Sequence, residues 1–312
     1  MSLGLACAVA ASDDHRLGRA SHRGIGATFG PACASRSAGV RSPRATYDWR
    51  MRPVIITANW KMNTSPADAG PLARSIADAT AVAGVTRIIC PPYVSLATVK
   101  EALAGTDVAV GAQNVHAESK GAYTGEIAAG MLRGLVSWAI VGHSERRRDQ
   151  GETDEQVGHK IVRLVEAGIR PMMCCGELLE EREAGQAVQT VQAQVKAALE
   201  VVAAAGDGVP GDLVIAYEPV WAIGTGKTAS GADAAEMADA IRATVAEIEG
   251  AEAAEATPVL YGGSVTSASF GEFIDEPAID GALIGGASLK PDEMAGIAAR
   301  AGTTAAARAQ AG

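Results

Sequence analysis

A single-domain (β/α)8 barrel is the fold class this sequence predicts, on three observations. From Pro53 onward, short β-branched runs alternate with Ala-rich amphipathic stretches. The alternation repeats eight times within about 250 residues, which is the size of one closed barrel of parallel strands and covering helices. The runs are nearly continuous in apolar residues, as strands buried on both faces are. An open doubly wound sheet is the rival. It normally carries a glycine-rich turn after its first strand, where this chain has Ala58-Asn59-Trp60-Lys61.

Val54–Thr57 reads as the first strand, and Ser65-Pro66 starts a helix over Ala67–Ala81, since proline is tolerated in a first helical turn. Arg87–Cys90 is the second strand, ended by Pro91-Pro92, with a helix over Ser95–Ala104. Asp107–Gly111 is the third strand and leads into a long polar loop. Trp138–Val141 is the fourth, and its helix, Thr153–Ala167, stops at Gly168. Pro171–Cys174 and the helix Gln186–Ala204 form the fifth unit, and Leu213–Tyr217 and Gly231–Glu249 the sixth. The last two units are Pro258–Tyr261 with Ser267–Ile274, and Ile279–Ile284 with Asp292–Ala299. The barrel is therefore placed at 53–300, with 301–312 as a frayed Ala-rich tail.

Residues 1–52 are a different kind of sequence. They hold eight Arg, no Lys and three Asp, a net +5 within a chain of net −9. Arg-rich and acid-poor composition fits a transit peptide, a native disordered tail fits as well, and so does a start placed upstream of a true first residue at Met51. The last reading is preferred, because Met51 stands directly before the first strand. All three put 1–52 outside the fold. A cytoplasmic location follows, with organellar targeting by residues 1–50 as the alternative. The acidic balance argues against nucleic acid or an anionic membrane as partner, and no run of about 18 apolar residues could cross a bilayer. The five cysteines, Cys7, Cys33, Cys90, Cys174 and Cys175, form no CxxC motif and are expected to be free thiols with no metal bound.

In a barrel of this kind the chemistry sits at the carboxyl ends of the strands. Glu218 directly follows the sixth run. The segment behind it, Pro219-Val220-Trp221-Ala222-Ile223-Gly224-Thr225-Gly226-Lys227, has an apolar centre and a glycine-rich tip. An exposed apolar loop is unfavourable unless it closes over something, so this segment reads as a lid. His143 follows strand four and opens the helical start Ser144-Glu145-Arg146, a position that favours a neutral imidazole. Lys61 ends strand one as a candidate fixed cation. Asn59, two residues earlier, shares its side-chain parity if the segment is extended, so both would face the mouth. Gly262-Gly263-Ser264 and Gly285-Gly286 end the last two strands, where backbone N–H groups can approach a phosphate.

The segments ANWKMN (58–63), AQNVHAESKGAYTGE (112–126), VGHSERR (141–147), GETDE (151–155), AYEPVWAIGTGK (216–227), YGGSV (261–265) and IGGASLKP (284–291) together resemble the triosephosphate isomerases. The resemblance runs from Pro53 to about Ala299. It implies interconversion of dihydroxyacetone phosphate and D-glyceraldehyde 3-phosphate, a step of glycolysis and gluconeogenesis, with no cofactor and no metal. Glu218 would be the base, His143 the electrophile, and Lys61 and Asn59 the oxyanion partners, supported by Glu145. Gly224, Ser264, Gly285 and Gly286 would bind the phosphate. The segment Tyr123-Thr124-Gly125-Glu126 is similar to the family's interdigitating loop, which implies a homodimer. A different phosphate-binding barrel would need a metal or paired acids in place of His143 and Lys61. A catalytically silent barrel would be expected to lack Glu218 or the lid.

Overall fold

The computed structural model describes residues 52–206, 208–223 and 229–311. Eight parallel strands close on themselves in chain order: β1 (Val54–Asn59), β2 (Val85–Cys90), β3 (Ala109–Ala112), β4 (Trp138–Val141), β5 (Arg170–Cys175), β6 (Val214–Tyr217), β7 (Val259–Tyr261) and β8 (Gly281–Ile284). The closing seam pairs Ile55 with Gly281 and Ala58 with Ile284. This is the predicted fold.

Residues of alternating parity build two separate cores. Ile55, Ile88, Ile140, Met172, Val214, Leu260 and Leu283 point inward and fill the barrel. Val54, Ile56 and Ala58 point outward beneath the helices, with Val141, Ile215 and Ile284. The helices are α1 (Pro66–Ala79), α2 (Leu96–Ala102), α3 (Ser144–Gln150), α4 (Asp154–Ala167), α5 (Leu179–Glu183), α6 (Ala187–Ala204), α7 (Gly231–Glu249), α8 (Ala251–Ala256), α9 (Phe270–Ile274) and α10 (Pro291–Ala311). Thr153 and Gln156 form a capping box at the start of α4, and Gly168 ends it in the left-handed region (φ 71°). The short helices α5 and α8 fall in segments that sequence reading leaves unassigned. After β3 a 3-10 turn at Ala129–Leu132 stands where the other units have helices.

Two boundary expectations are corrected at the amino-terminal rim. Of the expected frayed tail 301–312, residues 301–311 are helical, because α10 continues to Ala311 and Ala301 is buried, while Gly312 lies outside the described residues. Arg308 on that helix bonds Asp280 Oδ1 at 2.8 Å and the Ile279 carbonyl at 2.8 Å. Arg52 is not outside the fold. Its Nε lies 3.0 Å from both Asp280 oxygens, and its Nη2 donates to the Pro277 carbonyl. Arg242 and the Val259 N–H complete the shell of this buried carboxylate. A buried charge is stable only when it is paired and hydrogen-bonded, and here residues from both ends of the described chain supply the pairing. Arg308→Ala is expected to cost about 1.5–3 kcal/mol, lowering the melting temperature by roughly 3–12 °C without changing turnover. Calorimetry beside a rate assay checks this, and an unchanged melting temperature would contradict it.

Candidate active site

The inward register of the strands aims the site. Ile55 and Thr57 lead up to Asn59, Val214 and Ala216 lead up to Glu218, Leu260 leads to Gly262, and Leu283 to Gly285. These upper positions line one cavity of about 360 Å³ at the carboxyl ends of the strands, together with Lys61, His143, Ile223, Ser264 and Gly286. Asn59, His143 and Glu218 are buried there, and Lys61 is partly exposed.

Glu218 is held by one backbone donor and faces the His143 ring. Its Oε2 accepts the Ser144 backbone N–H at 2.8 Å, and His143 Nε2 lies 3.0 Å from Oε1. His143 is the N-cap of α3, and its Nδ1 accepts the Glu145 N–H at 3.2 Å. An accepting Nδ1 leaves the ring proton on Nε2, so the neutral tautomer presents an N–H to the cleft. Beneath Glu218, burial and then the carboxylate itself push the Cys174 thiol well up, so it stays protonated. Cys90, Cys174 and Cys175 are free and buried, while Cys7 and Cys33 lie outside the described residues.

Lys61 reaches the cleft by a route that differs from the expected one. It is not extended: its φ is 51°, in the left-handed region. The Asn59 carboxamide causes the turn by accepting the Lys61 N–H at 3.0 Å. Gln113 Nε2 then donates to the Lys61 carbonyl at 2.9 Å. The Lys61 ammonium bonds Glu145 Oε1 at 2.6 Å. Burial alone would raise the Glu145 carboxyl, but Lys61 outweighs it and holds it below the usual carboxylate range.

Two cleft glycines make room for neighbouring side chains, and the Gly262 N–H is already donated to the Tyr217 carbonyl at 2.6 Å. A Cβ on Gly262 would lie 2.7 Å from Glu218 Cγ, and one on Gly285 would lie 3.2 Å from Lys61 Cε. Ser264 is exposed at the rim, with its Oγ 3.4 Å from the Ala222 carbonyl. Of the expected lid, Pro219–Ile223 is described, with a 3-10 turn over Val220–Ala222. The expected Gly224, Thr225, Gly226 and Lys227 lie outside the described residues.

Sequence reading missed Glu177. This fully buried carboxylate accepts from Tyr217 Oη (3.0 Å), Trp221 Nε1 (2.8 Å) and Arg182 (3.1 Å), and so anchors the start of the lid. It stands two residues past β5 with the outward parity of Met173 and Cys175, so the parity that places Glu218 does not find it. A second cavity of about 220 Å³ adjoins the first, lined by Met62, Tyr93, Asn114, Glu145 and Arg146 among others. Met62 is 96% exposed beside it. Tyr123, Thr124, Gly125 and Glu126 are all exposed, and the ring of Tyr123 packs on His116 at 4.4 Å. Among the described residues no three His, Cys, Asp or Glu side chains are grouped to hold a metal ion, and no helix is long and apolar enough to cross a membrane.

A family model described as triosephosphate isomerase matches residues 54–301. The chain is 45% identical over 252 residues to a triosephosphate isomerase of Dehalococcoides mccartyi, covering 80% of this chain and 98% of that one. It is 45% identical over 248 residues to the Clostridium beijerinckii protein of that name, covering 79% and 99%. With the Carboxydothermus hydrogenoformans protein, also so named, the identity is 46% over 249 residues, covering 79% and 98%. Barrel, cleft and matched span agree, and the chain belongs to the triosephosphate isomerase family.

Proposed function

We propose that the cleft interconverts dihydroxyacetone phosphate and D-glyceraldehyde 3-phosphate through an enediolate, as an isomerase acting on triose phosphate. The observation that carries this reading is a buried carboxylate and a buried imidazole whose Oε1 and Nε2 lie 3.0 Å apart at the mouth of the barrel. Glu218 takes the proton α to the carbonyl and returns it to the neighbouring carbon. His143 donates to the carbonyl oxygen, and Lys61 with Asn59 stabilises the charge that develops there, with Glu145 holding the ammonium in place. A positioned base contributes about 10²–10⁴-fold, and each oxyanion donor about 10²–10³-fold. Neither suffices alone for deprotonating carbon, so the groups must act together in a cleft that excludes water. Gly224, Ser264, Gly285 and Gly286 hold the phosphate through backbone N–H groups, remote from the reacting carbons. Pro219–Lys227 closes over the site. No cofactor or metal enters this scheme.

The same reading makes the protein a cytoplasmic homodimer. The proposed contact is the exposed Tyr123–Glu126 loop of one copy against the cavity beside Lys61 and Met62 of the other, and the exposure of both supports it. Residues 1–51 precede Arg52 at the rim opposite the mouth and are proposed to be dispensable. A coupled isomerase assay with sedimentation on one sample tests the whole reading, for the full chain and for a chain started at Met51. Both are expected to turn over triose phosphate as dimers. Absence of isomerase activity in the full chain would overturn the reading. Replacing Thr124-Gly125 by a longer Ser-rich linker is expected to yield monomers with much lower kcat, and dimers of full activity would argue against the docking loop.

A further inference from the structure

Two buried charges stand behind the His143 turn and touch no atom of the cleft. The carboxylate of Glu152 accepts the Gly142 N–H on Oε1 at 2.8 Å and Arg146 Nε on Oε2 at 2.6 Å. Lys160 donates to the same Oε2 and to Asn114 Oδ1 at 2.8 Å. Both side chains are almost fully buried. Burial alone would raise the Glu152 carboxyl, but Lys160 and Arg146 outweigh it and hold it down.

The β4 ladder ends at Val141, paired with Met173, so the next N–H, that of Gly142, needs another acceptor. Gly142 is in the left-handed region (φ 73°), and a Cβ there would come within 3.0 Å of the Cys174 carbonyl. Its own carbonyl accepts Arg147 Nε at 2.7 Å. The two peptide groups flanking Gly142 are thus each fixed by one charged side chain, and the second of them leads directly into His143. We propose that Glu152, clamped by Lys160, is a positioning residue for the isomerisation: by holding the Gly142 peptide it sets the direction in which the His143 imidazole presents Nε2–H. A glutamine could still accept the Gly142 N–H, but its NH2 would then face the donors of Lys160 and Arg146. The position therefore requires a carboxylate.

The inference rests on His143 being the electrophile, so His143→Gln is the control. Full turnover in that variant would remove the reading of the site itself. The test is the double variant Glu152→Leu/Lys160→Met, which removes both buried charges together and with them the acceptor of the Gly142 N–H. The readouts are kcat, KM, melting temperature and the ¹⁵N signals of the His143 imidazole. We expect a folded protein with KM within about twofold and kcat lower by about 10- to 100-fold, the scale of a misplaced reacting group. We also expect His143 signals displaced from the parent's single neutral tautomer. Unchanged kcat, or a lower kcat with unaltered imidazole signals, would overturn the proposal. If the double variant does not fold, Glu152→Asp takes its place. One methylene shorter, it is expected to show a smaller kcat loss with His143 signals displaced. Parent-like values on both readouts would then overturn it.

Discussion

Glu218→Gln is expected to lower kcat by about 10²–10⁴-fold while KM stays within a few-fold. Glutamine keeps the volume of the side chain and an oxygen able to accept the Ser144 N–H, so the fold around it is preserved. What it lacks is a lone pair basic enough to remove a proton from carbon. The amide also sets a donor against His143 Nε2–H, or turns it aside. The decisive measurement pairs the isomerase rate with exchange of solvent deuterium into the substrate. Both should fall together, and turnover preserved without Glu218 would remove the base from the scheme.

Lys61→Met has the second-largest expected effect. In the proposed scheme the ammonium is a charged oxyanion donor, and loss of one such donor is worth about 10²–10³-fold in kcat. KM should rise too, because the dianionic substrate loses its fixed counter-charge. Glu145, whose burial is offset chiefly by Lys61, moves back up once that partner is gone, with only the weaker pull of His143 and Arg148 left against burial. Its negative charge is then lost on acidification at a higher pH than in the parent. Salt offers an independent check. The kcat/KM of the parent should fall with ionic strength, and that of the variant should respond much less. Equal salt dependence would place the steering charge elsewhere.

Much of this site could be read from the chain because strand parity is a rigid rule. Once Val214–Tyr217 is a buried strand, Glu218 must surface at the mouth, and the same logic places Asn59. Lys61 shows the limit of that rule. Its backbone turns because a neighbouring carboxamide captures its N–H, and period-two counting cannot anticipate such a local bond. Glu152 and Lys160 were equally hidden. They lie eight residues apart and meet through the geometry of a loop and a helix rather than through a sequence period. At Gly262 and Gly285 the sequence suggests room for a ligand at backbone N–H groups, whereas the groups that a Cβ would meet there are the protein's own Glu218 and Lys61. The end of α10 was misread because an Ala-rich segment carries little signal, and the anchor that holds it, Arg308, is a single residue.

That anchor has a practical corollary. Arg308 Nη1 lies 3.3 Å from the Arg52 carbonyl, so the residue leading into β1 and the last helix meet at one spot, at the amino-terminal end of the strands. In a chain started at Met51, a short peptide linker could therefore join the two ends, and new termini could be opened in an exposed turn elsewhere. Attachment to a surface through either arm would leave the entrance pointing outward, free for diffusing metabolites.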